Sequence, residues 1–366
     1  MARKGRSIFK RKNRIKTNKE KKNVYGEVRQ KKAETVKQPD IEQSRLKTQE
    51  HGKSPNFENI ARQWLEELKP IRKKSTIVKY MGQLKNYIIP AFGKFNLSDI
   101  SNENIIAFSN KLLTEGRNGH KLAPKTVSDI FSRMKSIRRF ALLRGYEVNY
   151  VPNAVEIPLR HSQIRVLTST EENKLLRYLK KHFDLTALGI LLSLFTGIRS
   201  GELCALKWSD FSFADKEFQV KRTMQRLHNF DGNTAKKTFI EIGEPKSPSS
   251  LRKIPIPEKL MKYLKSAYVK DAYVLSGSRS KFVEPRTMEN RFKRVLKKCG
   301  VQRINFHVLR HSFATKCVEL GFDIKSLSEI LGHANVNITL NRYVHPSMKL
   351  KHANMNKLNS FLCGKK

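Results

Sequence analysis

Two side chains three positions apart, His307 and Arg310, sit in the stretch Asn305-Phe-His-Val-Leu-Arg-His-Ser-Phe-Ala-Thr315. Spacing of three places both on one face of a helix. Further along come Leu331-Gly-His333 and Asn341-Arg-Tyr343-Val-His345, and upstream lies Thr196-Gly-Ile-Arg199-Ser-Gly-Glu202. These residue types suit one kind of chemistry. A phosphodiester repels nucleophiles, and its pentacovalent transition state gains negative charge, so fixed cations and hydrogen-bond donors must compensate. Arginine, always charged and bidentate, does this well. A tyrosine hydroxyl can attack once its proton is removed, and the leaving alkoxide needs an acid. Arg199 and Arg310 would hold the phosphate, with His307 beside Arg310, His333 projecting from a glycine turn, Tyr343 as nucleophile, and Lys246 reaching from a connection between strands. Each residue alone has a plainer role. Arg199 could pair with Glu202, the histidines could be structural, Tyr343 is one of ten tyrosines and Lys246 one lysine among many. The ordered set outweighs those separate readings.

The elements that must position this set are legible in part. Phe57, Ile60, Ala61, Trp64, Leu65 and Leu68 repeat at helical spacing up to Pro70. Ser75 reads as the N-cap of a second helix that turns Ile77, Tyr80, Leu84, Tyr87 and Ile88 inward and closes at Pro90 and Gly93. Ser101 opens a third, which ends near Gly116. The fourth spans about 124 to 143 and buries Val127, Ile130, Met134, Ile137 and Phe140. Together they predict a compact helical bundle. Residues 148–167 carry Pro152 and Pro158 and read as a linker. Beyond it, Ser169-Thr-Glu-Glu172 reads as a capping box. An apolar helix follows from Leu185 to Phe195. Period-two runs at Glu217–Thr223, Thr238–Ile242 and Arg252–Ile256 predict three short antiparallel strands, with Lys246 at the tip between the last two. Helices resume at about Pro257, Thr287 and His307.

Bulk composition points the same way. Lys and Arg number 74 against 32 Asp and Glu, for a formal net charge of +42 over 366 residues. That excess predicts a polyanionic partner, nucleic acid first. On the helical bundle, Lys79, Lys85, Lys125, Arg133, Arg138 and Arg139 are candidate phosphate contacts; a solvated helix face is the plainer reading of any one of them. The four cysteines are scattered with no Cys-x-x-Cys pair, which argues against a zinc ribbon or disulfide framework. There is no Gly-x-Ser-x-Gly, no phosphate-cradling Gly-rich Lys-Ser/Thr loop and no clustered carboxylates for two metals. The chemistry is therefore expected to need no cofactor, neither ATP nor a metal. No secretory signal or membrane span is expected.

The stretches Thr196–Glu202, His307–Thr315, Leu331–His333 and Arg342–His345 resemble the tyrosine recombinases, in particular integrases of phages and conjugative elements, over residues 55 to 362. Leu122-Ala-Pro-Lys-Thr-Val127 is similar to the core-binding domain of that family. The resemblance implies a mainly α fold with a small antiparallel β-sheet. A helical, SAM-like core-binding domain (54–147) and an α+β catalytic domain (168–348) would close on DNA as a clamp. A basic segment (1–53) would be a reduced arm-binding module or disordered, and a tail (349–366) would dock on a neighbouring protomer through Leu350, Leu358, Phe361 and Leu362. It implies that Arg199, Arg310 and His333 bind the scissile phosphate and that Lys246 protonates the leaving 5′ oxygen. His307 would assist proton transfer at Tyr343, which would become a 3′-phosphotyrosine, and Glu202 would be a structural support. The partners implied are double-stranded DNA, a homotetramer on two sites, and a DNA-bending accessory or excision factor. The expected location is the bacterial cytoplasm, at the nucleoid. Within the same chemistry, an invertase, a resolvase or a type IB topoisomerase remains an alternative; outside it, a catalytically silent architectural DNA-binding protein does.

Overall fold

The structure, a computed structural model, describes residues 55–117, 119–158, 164–230, 236–245, 247–344, 348–356 and 358–359. The segment 1–53, Lys246, His345, Phe361 and Leu362 lie outside the described residues. Over those described, the chain divides into two compact units, Met1–Leu68 with Gln83–Pro158 and Lys69–Gly82 with Leu159–Lys366.

The first unit is helical. Helix α1 (Phe57–Leu68) buries Phe57, Ile60, Ala61, Trp64 and Leu65, the stripe its spacing predicts. Helix α2 (Lys74–Gln83) starts one residue before the expected cap at Ser75, and residues 69–82 belong to the second unit. Pro90 does not end this helical run. A π-helical turn, Leu84–Ile88, shifts the hydrogen-bond ladder so that Ile89 N–H donates to Leu84 O. One further α-turn, Ile89–Phe92, then carries Pro90 near its start, where a missing N–H costs least. Helix α3 (Asn102–Thr114) has Ser101 as its N-cap in a capping box with Asn104. Helix α4 (Pro124–Leu142) buries every residue of its predicted stripe. The segment read as a linker is partly core: Val148 and Tyr150 are buried in this unit. Arg138 Nε donates to the Tyr150 carbonyl at 2.7 Å.

In the second unit, helix α5 (Ser169–Lys181) is capped one residue earlier than expected, by Thr168 with Glu171 at N3. Thr168 fits because Leu167, just before it, is buried and held by its N–H donating to Ser312 Oγ at 2.8 Å. Helix α6 (Leu185–Thr196) is apolar on every side and almost wholly buried, which makes it the central rod of the core. It packs against α5, α7 (Ser200–Cys204), α8 (Glu258–Ser266), α9 (Pro285–Lys298) and α10 (His307–Glu319).

The strands differ from the sequence expectation. The run Glu217–Thr223 is broken into β2 (Glu217–Val220) and the start of β3 (Thr223–His228). The reason lies in Lys221 and Arg222, which are neighbours in sequence yet both reach the buried carboxylate of Asp210. Two consecutive side chains turned to one group cannot alternate across a pleat. Two sheets result. One is β1 (Phe211–Ser212), β2 and β5 (Arg252–Pro255), antiparallel, with Phe218 opposite Ile254 and Val220 opposite Arg252. The other is the hairpin of β3 with β4 (Thr238–Gly243). Strands β4 and β5 are not paired, so the connection holding Lys246 crosses from one sheet to the other and is not a hairpin tip.

After α10 come α11 (Ile324–Leu331), α12 (Val336–Tyr343) and α13 (Met348–Asn356). The ring of Tyr343 packs in a small satellite cluster with Ala314, Cys317, Leu327 and Leu331. In the tail stripe, Leu358 is exposed. Among the described residues no helix is long and apolar enough to cross a membrane.

Candidate active site

Two glycines in left-handed conformation stop two helices at the same place. Gly197, φ +63°, ends α6, and Gly332, φ +66°, ends α11. A β-carbon at Gly197 would lie 2.5 Å from the Phe313 ring, and one at Gly332 would lie 2.9 Å from Arg252, so neither position admits a larger residue without movement. A helix ends with carbonyls that have no partner within the helix. Here arginines supply the partners. Arg252 Nε donates to Ile330 O at 2.6 Å, Arg310 Nη2 to Leu331 O at 2.7 Å, and Arg199 Nη2 to Gly332 O at 2.9 Å. Three successive carbonyls at the end and C-cap of α11 thus hold three different arginines. Arg310 also donates to the Gly197 carbonyl, at 2.7 Å.

One carboxylate ties this group together. Glu202, 3% exposed, accepts from Arg252 Nη2 at 2.9 Å, from Arg199 Nη1 at 2.7 Å and from the Arg199 backbone N–H at 3.1 Å. Burial alone would raise its carboxyl pKa, but Arg252 and Arg199 outweigh that and hold it below the usual range. The Arg199–Glu202 ion pair expected of an isolated Arg-x-x-Glu is present. It does not consume Arg199, whose side chain remains 34% exposed. Arg310 is buried, and burial together with Arg199 and Arg252 lowers its pKa to about 9, which leaves it charged at neutral pH.

His333 follows Gly332 and is oriented from both sides. Its Nδ1 lies 2.8 Å from Thr339 Oγ1 and its Nε2 lies 3.0 Å from Arg310 Nη2. Its ring stacks parallel to that of Tyr343, centroids 6.4 Å apart. Tyr343, the last residue of α12, is buried beside the arginines, and its hydroxyl lies 2.8 Å from His311 Nδ1. Burial raises its pKa, only partly offset by Arg310, Arg342 and Arg199, so the phenol holds its proton. His307 makes an edge-on contact with His311, centroids 4.6 Å apart. Loss of solvent and the surrounding positive charge lower the pKa of His307, His311 and His333 to about 4 each. All three are neutral at pH 7.

Of the residues read from sequence, Arg199, Glu202, His307, Arg310, His333 and Tyr343 therefore meet in one site, while Lys246 lies outside the described residues. Of the described residues near it in sequence, Pro245 O accepts from Lys73 Nζ at 2.6 Å and Ser250 O from Arg252 Nη1 at 3.0 Å. Two expectations change. The neighbour of the Tyr343 hydroxyl is His311, not His307, and Arg252 joins the arginines through Glu202. Two residues were missed. His311 is four positions from His307, on the same helix face. Arg252 shares the inward face of β5 with Ile254, so a charged residue in a buried alternation was its signal. Among the bundle cations, Lys125 pairs with Asp129 and Arg138 is bonded to Tyr150 O. Lys79 and Arg139 are exposed, as is Lys85, while Arg133 is half-buried.

Arginines fixed by helix ends, neutral histidines and a protonated tyrosine beside them are the groups that phosphoryl transfer to a tyrosine would need. Residues 165–349 match the phage integrase family, and residues 56–113 match the phage integrase N-terminal SAM-like domain. A tyrosine recombinase XerC-like protein of Caldanaerobacter subterraneus subsp. tengcongensis is 32% identical over 318 residues, covering 79% of this chain and 78% of that one. The transposase from transposon Tn916 of Enterococcus faecalis is 30% identical over 216 residues, 53% of this chain and 51% of its own length. In fold, the Tn1549 transposon integrase in complex with transposon right end DNA superposes with a TM-score of 0.67 at 20% identity, over 83% of this chain and 100% of that one. The chain belongs to the phage integrase family and is a tyrosine-type site-specific recombinase.

Proposed function

We propose that this chain cuts and rejoins DNA through a 3′-phosphotyrosine at Tyr343, and that it integrates or excises a mobile genetic element. The observation that carries this reading is the buried Tyr343 beside Arg310 and His333, within a set of arginines anchored on the carbonyls of two helix ends. Arg199, Arg310 and His333 hold the scissile phosphate, and Lys246 protonates the leaving 5′ oxygen. The new O–P bond keeps the energy of the one that breaks, so ligation is the reverse step. Relatives named as the Tn916 transposase and the ICEBs1 integrase of Bacillus subtilis support a mobile-element role. The λ integrase tetramer bound to a Holliday junction has a related fold, with a TM-score of 0.58; on that pattern this chain acts as a tetramer on two duplexes. Lys79, Lys85, Lys125, Arg133, Arg138 and Arg139 contact phosphates along the core site, in the bacterial cytoplasm. Accessory DNA-bending or excision factors set the direction.

A nicked suicide duplex carrying the core site tests this. Wild-type protein traps itself covalently on a 3′ phosphate, and Tyr343→Phe does not. An adduct of equal yield from Tyr343→Phe overturns the assignment. Site binding with no cleavage by wild-type protein favours the silent architectural reading.

A further inference from the structure

His311 Nδ1 is 2.8 Å from the Tyr343 hydroxyl, within hydrogen-bond distance. The two residues lie on different helices: His311 is one turn into α10, immediately after Arg310, and Tyr343 ends α12. Their juxtaposition is therefore made by the fold, not by chain proximity. Tyr343 Oη must lose a proton as it attacks, and a general base must lie within about 2.6–3.2 Å of that proton's oxygen or act through one water. His311 meets this distance. His333 does not compete for the role, because both its ring nitrogens are engaged, with Thr339 and with Arg310. His307 meets the His311 ring edge-on and is the more exposed of the two.

We infer that His311 is a catalytic residue, the base that takes the Tyr343 proton during cleavage and returns it during ligation. In cleavage, the Tyr343 Oη–H proton moves to His311 Nδ1, the Oη–P bond forms and the P–O5′ bond breaks. The 5′ oxygen takes a proton from a separate acid. In ligation the 5′ hydroxyl returns its proton to that acid and attacks, the P–O5′ bond forms, the Oη–P bond breaks, and the proton on His311 returns to Tyr343. His311 carries its other ring N–H on Nε2 throughout the resting state. The two histidines of α10 then divide the work: His311 serves the nucleophile, and His307 is left to face the phosphate or the leaving group.

This inference rests on Tyr343 being the nucleophile, and the experiment separates the two. Covalent trapping rates are measured for wild type, Tyr343→Phe, Lys246→Ala, His307→Ala, His311→Ala and His311→Asn. Two core-site suicide duplexes are used, one with the ordinary 5′ oxygen and one with a 5′-bridging phosphorothiolate. A thiolate leaves without needing a proton, so it relieves loss of the acid but not loss of the base. His311→Ala is expected to slow trapping by about 10²-fold or more, the typical span for a general base, and by a similar factor on both duplexes. Lys246→Ala is expected to recover on the thiolate duplex. His311→Asn keeps a hydrogen-bond acceptor near Tyr343 but cannot take the proton, so it stays slow, while its melting temperature and core-site binding match wild type. Added imidazole is expected to raise the rate of His311→Ala. Wild-type rates in either His311 variant overturn the role. Thiolate rescue of His311→Ala makes it the leaving-group acid instead and also overturns it. Rescue by Asn alone reduces His311 to a positioning residue. No adduct from wild type, or an adduct from Tyr343→Phe, sinks the nucleophile assignment and this inference with it.

Discussion

Glu202→Gln is the most informative single change to stability. The substitution keeps the shape and removes the charge. In the wild-type protein two guanidiniums share this carboxylate, and Arg252 is 6% exposed at its side chain, with no water to replace what it loses. A glutamine would offer one acceptor where two are used, and would turn its NH2 donor toward donors. Breaking a buried ion pair by removing one partner costs about 3–5 kcal/mol, because the other charge stays buried. For a unit of roughly 150–250 residues each kcal/mol moves the midpoint by about 2–4 °C. The second unit's thermal transition should therefore fall by about 6–20 °C, read by calorimetry at pH 7, with the first unit's transition as internal reference. Replacing the buried pair, Glu202→Leu with Arg252→Met, should cost less than the sum of the two single changes, since the buried Arg252 charge is no longer left stranded and Arg199, at 34% exposure, still reaches water. A Glu202→Gln midpoint within about 2 °C of wild type would refute the account, and so would strict additivity in the double variant.

Gly332→Ala should destabilise by about 1–3 kcal/mol in urea unfolding, because φ is +66° and the new methyl meets Arg252; wild-type stability would show that the turn is not constrained. Thr339→Val keeps the volume and removes the hydroxyl at His333 Nδ1; trapping should fall about tenfold, the kinetic equivalent of one net hydrogen bond of about 1.4 kcal/mol, and an unchanged rate would show that Thr339 does not orient the ring. His307, His311 and His333 have folded pKa values of about 4 against 6.5 for the free side chain. The unfolded chain therefore binds protons that the folded chain refuses, and stability should fall as pH drops from about 6.5 towards 4. A melting temperature flat across that window would contradict it. Core-site binding should weaken steeply and linearly in log K against log salt as counterions are released; a flat plot would mean that the basic charge is not at the interface.

How much could be read in advance followed the range of the interactions. Helix stripes such as Val127, Ile130, Met134 and Ile137 depend on neighbours three and four apart, and all are buried as expected. The His307–Arg310 spacing, Gly197 and Gly332 likewise act within a turn or two. Arg252 escaped because its partner Glu202 is fifty positions away, and nothing local marks the pair except a charge on an inward strand position. The pairing of β5 with β2 in place of β4 was missed for the same reason: alternation gives the strand and not its neighbour. His311 was in plain view in the motif, but its role depends on where α12 returns the chain, which sequence spacing does not state.

The last turn of α11 has a consequence for how the site can fail. Arg252, Arg310 and Arg199 hang on the successive carbonyls of Ile330, Leu331 and Gly332, the end and C-cap of a helix only eight residues long. Such a short helix is marginal by itself and borrows its order from its surroundings. If that turn frays, all three guanidiniums lose an anchor together, and His333 moves with them. On the proposed roles of Arg199 and Arg310, fraying of this one turn would loosen both phosphate contacts at once. Any contact that tightens or loosens α11, however far from the phosphate, would act as a single lever on the whole reaction.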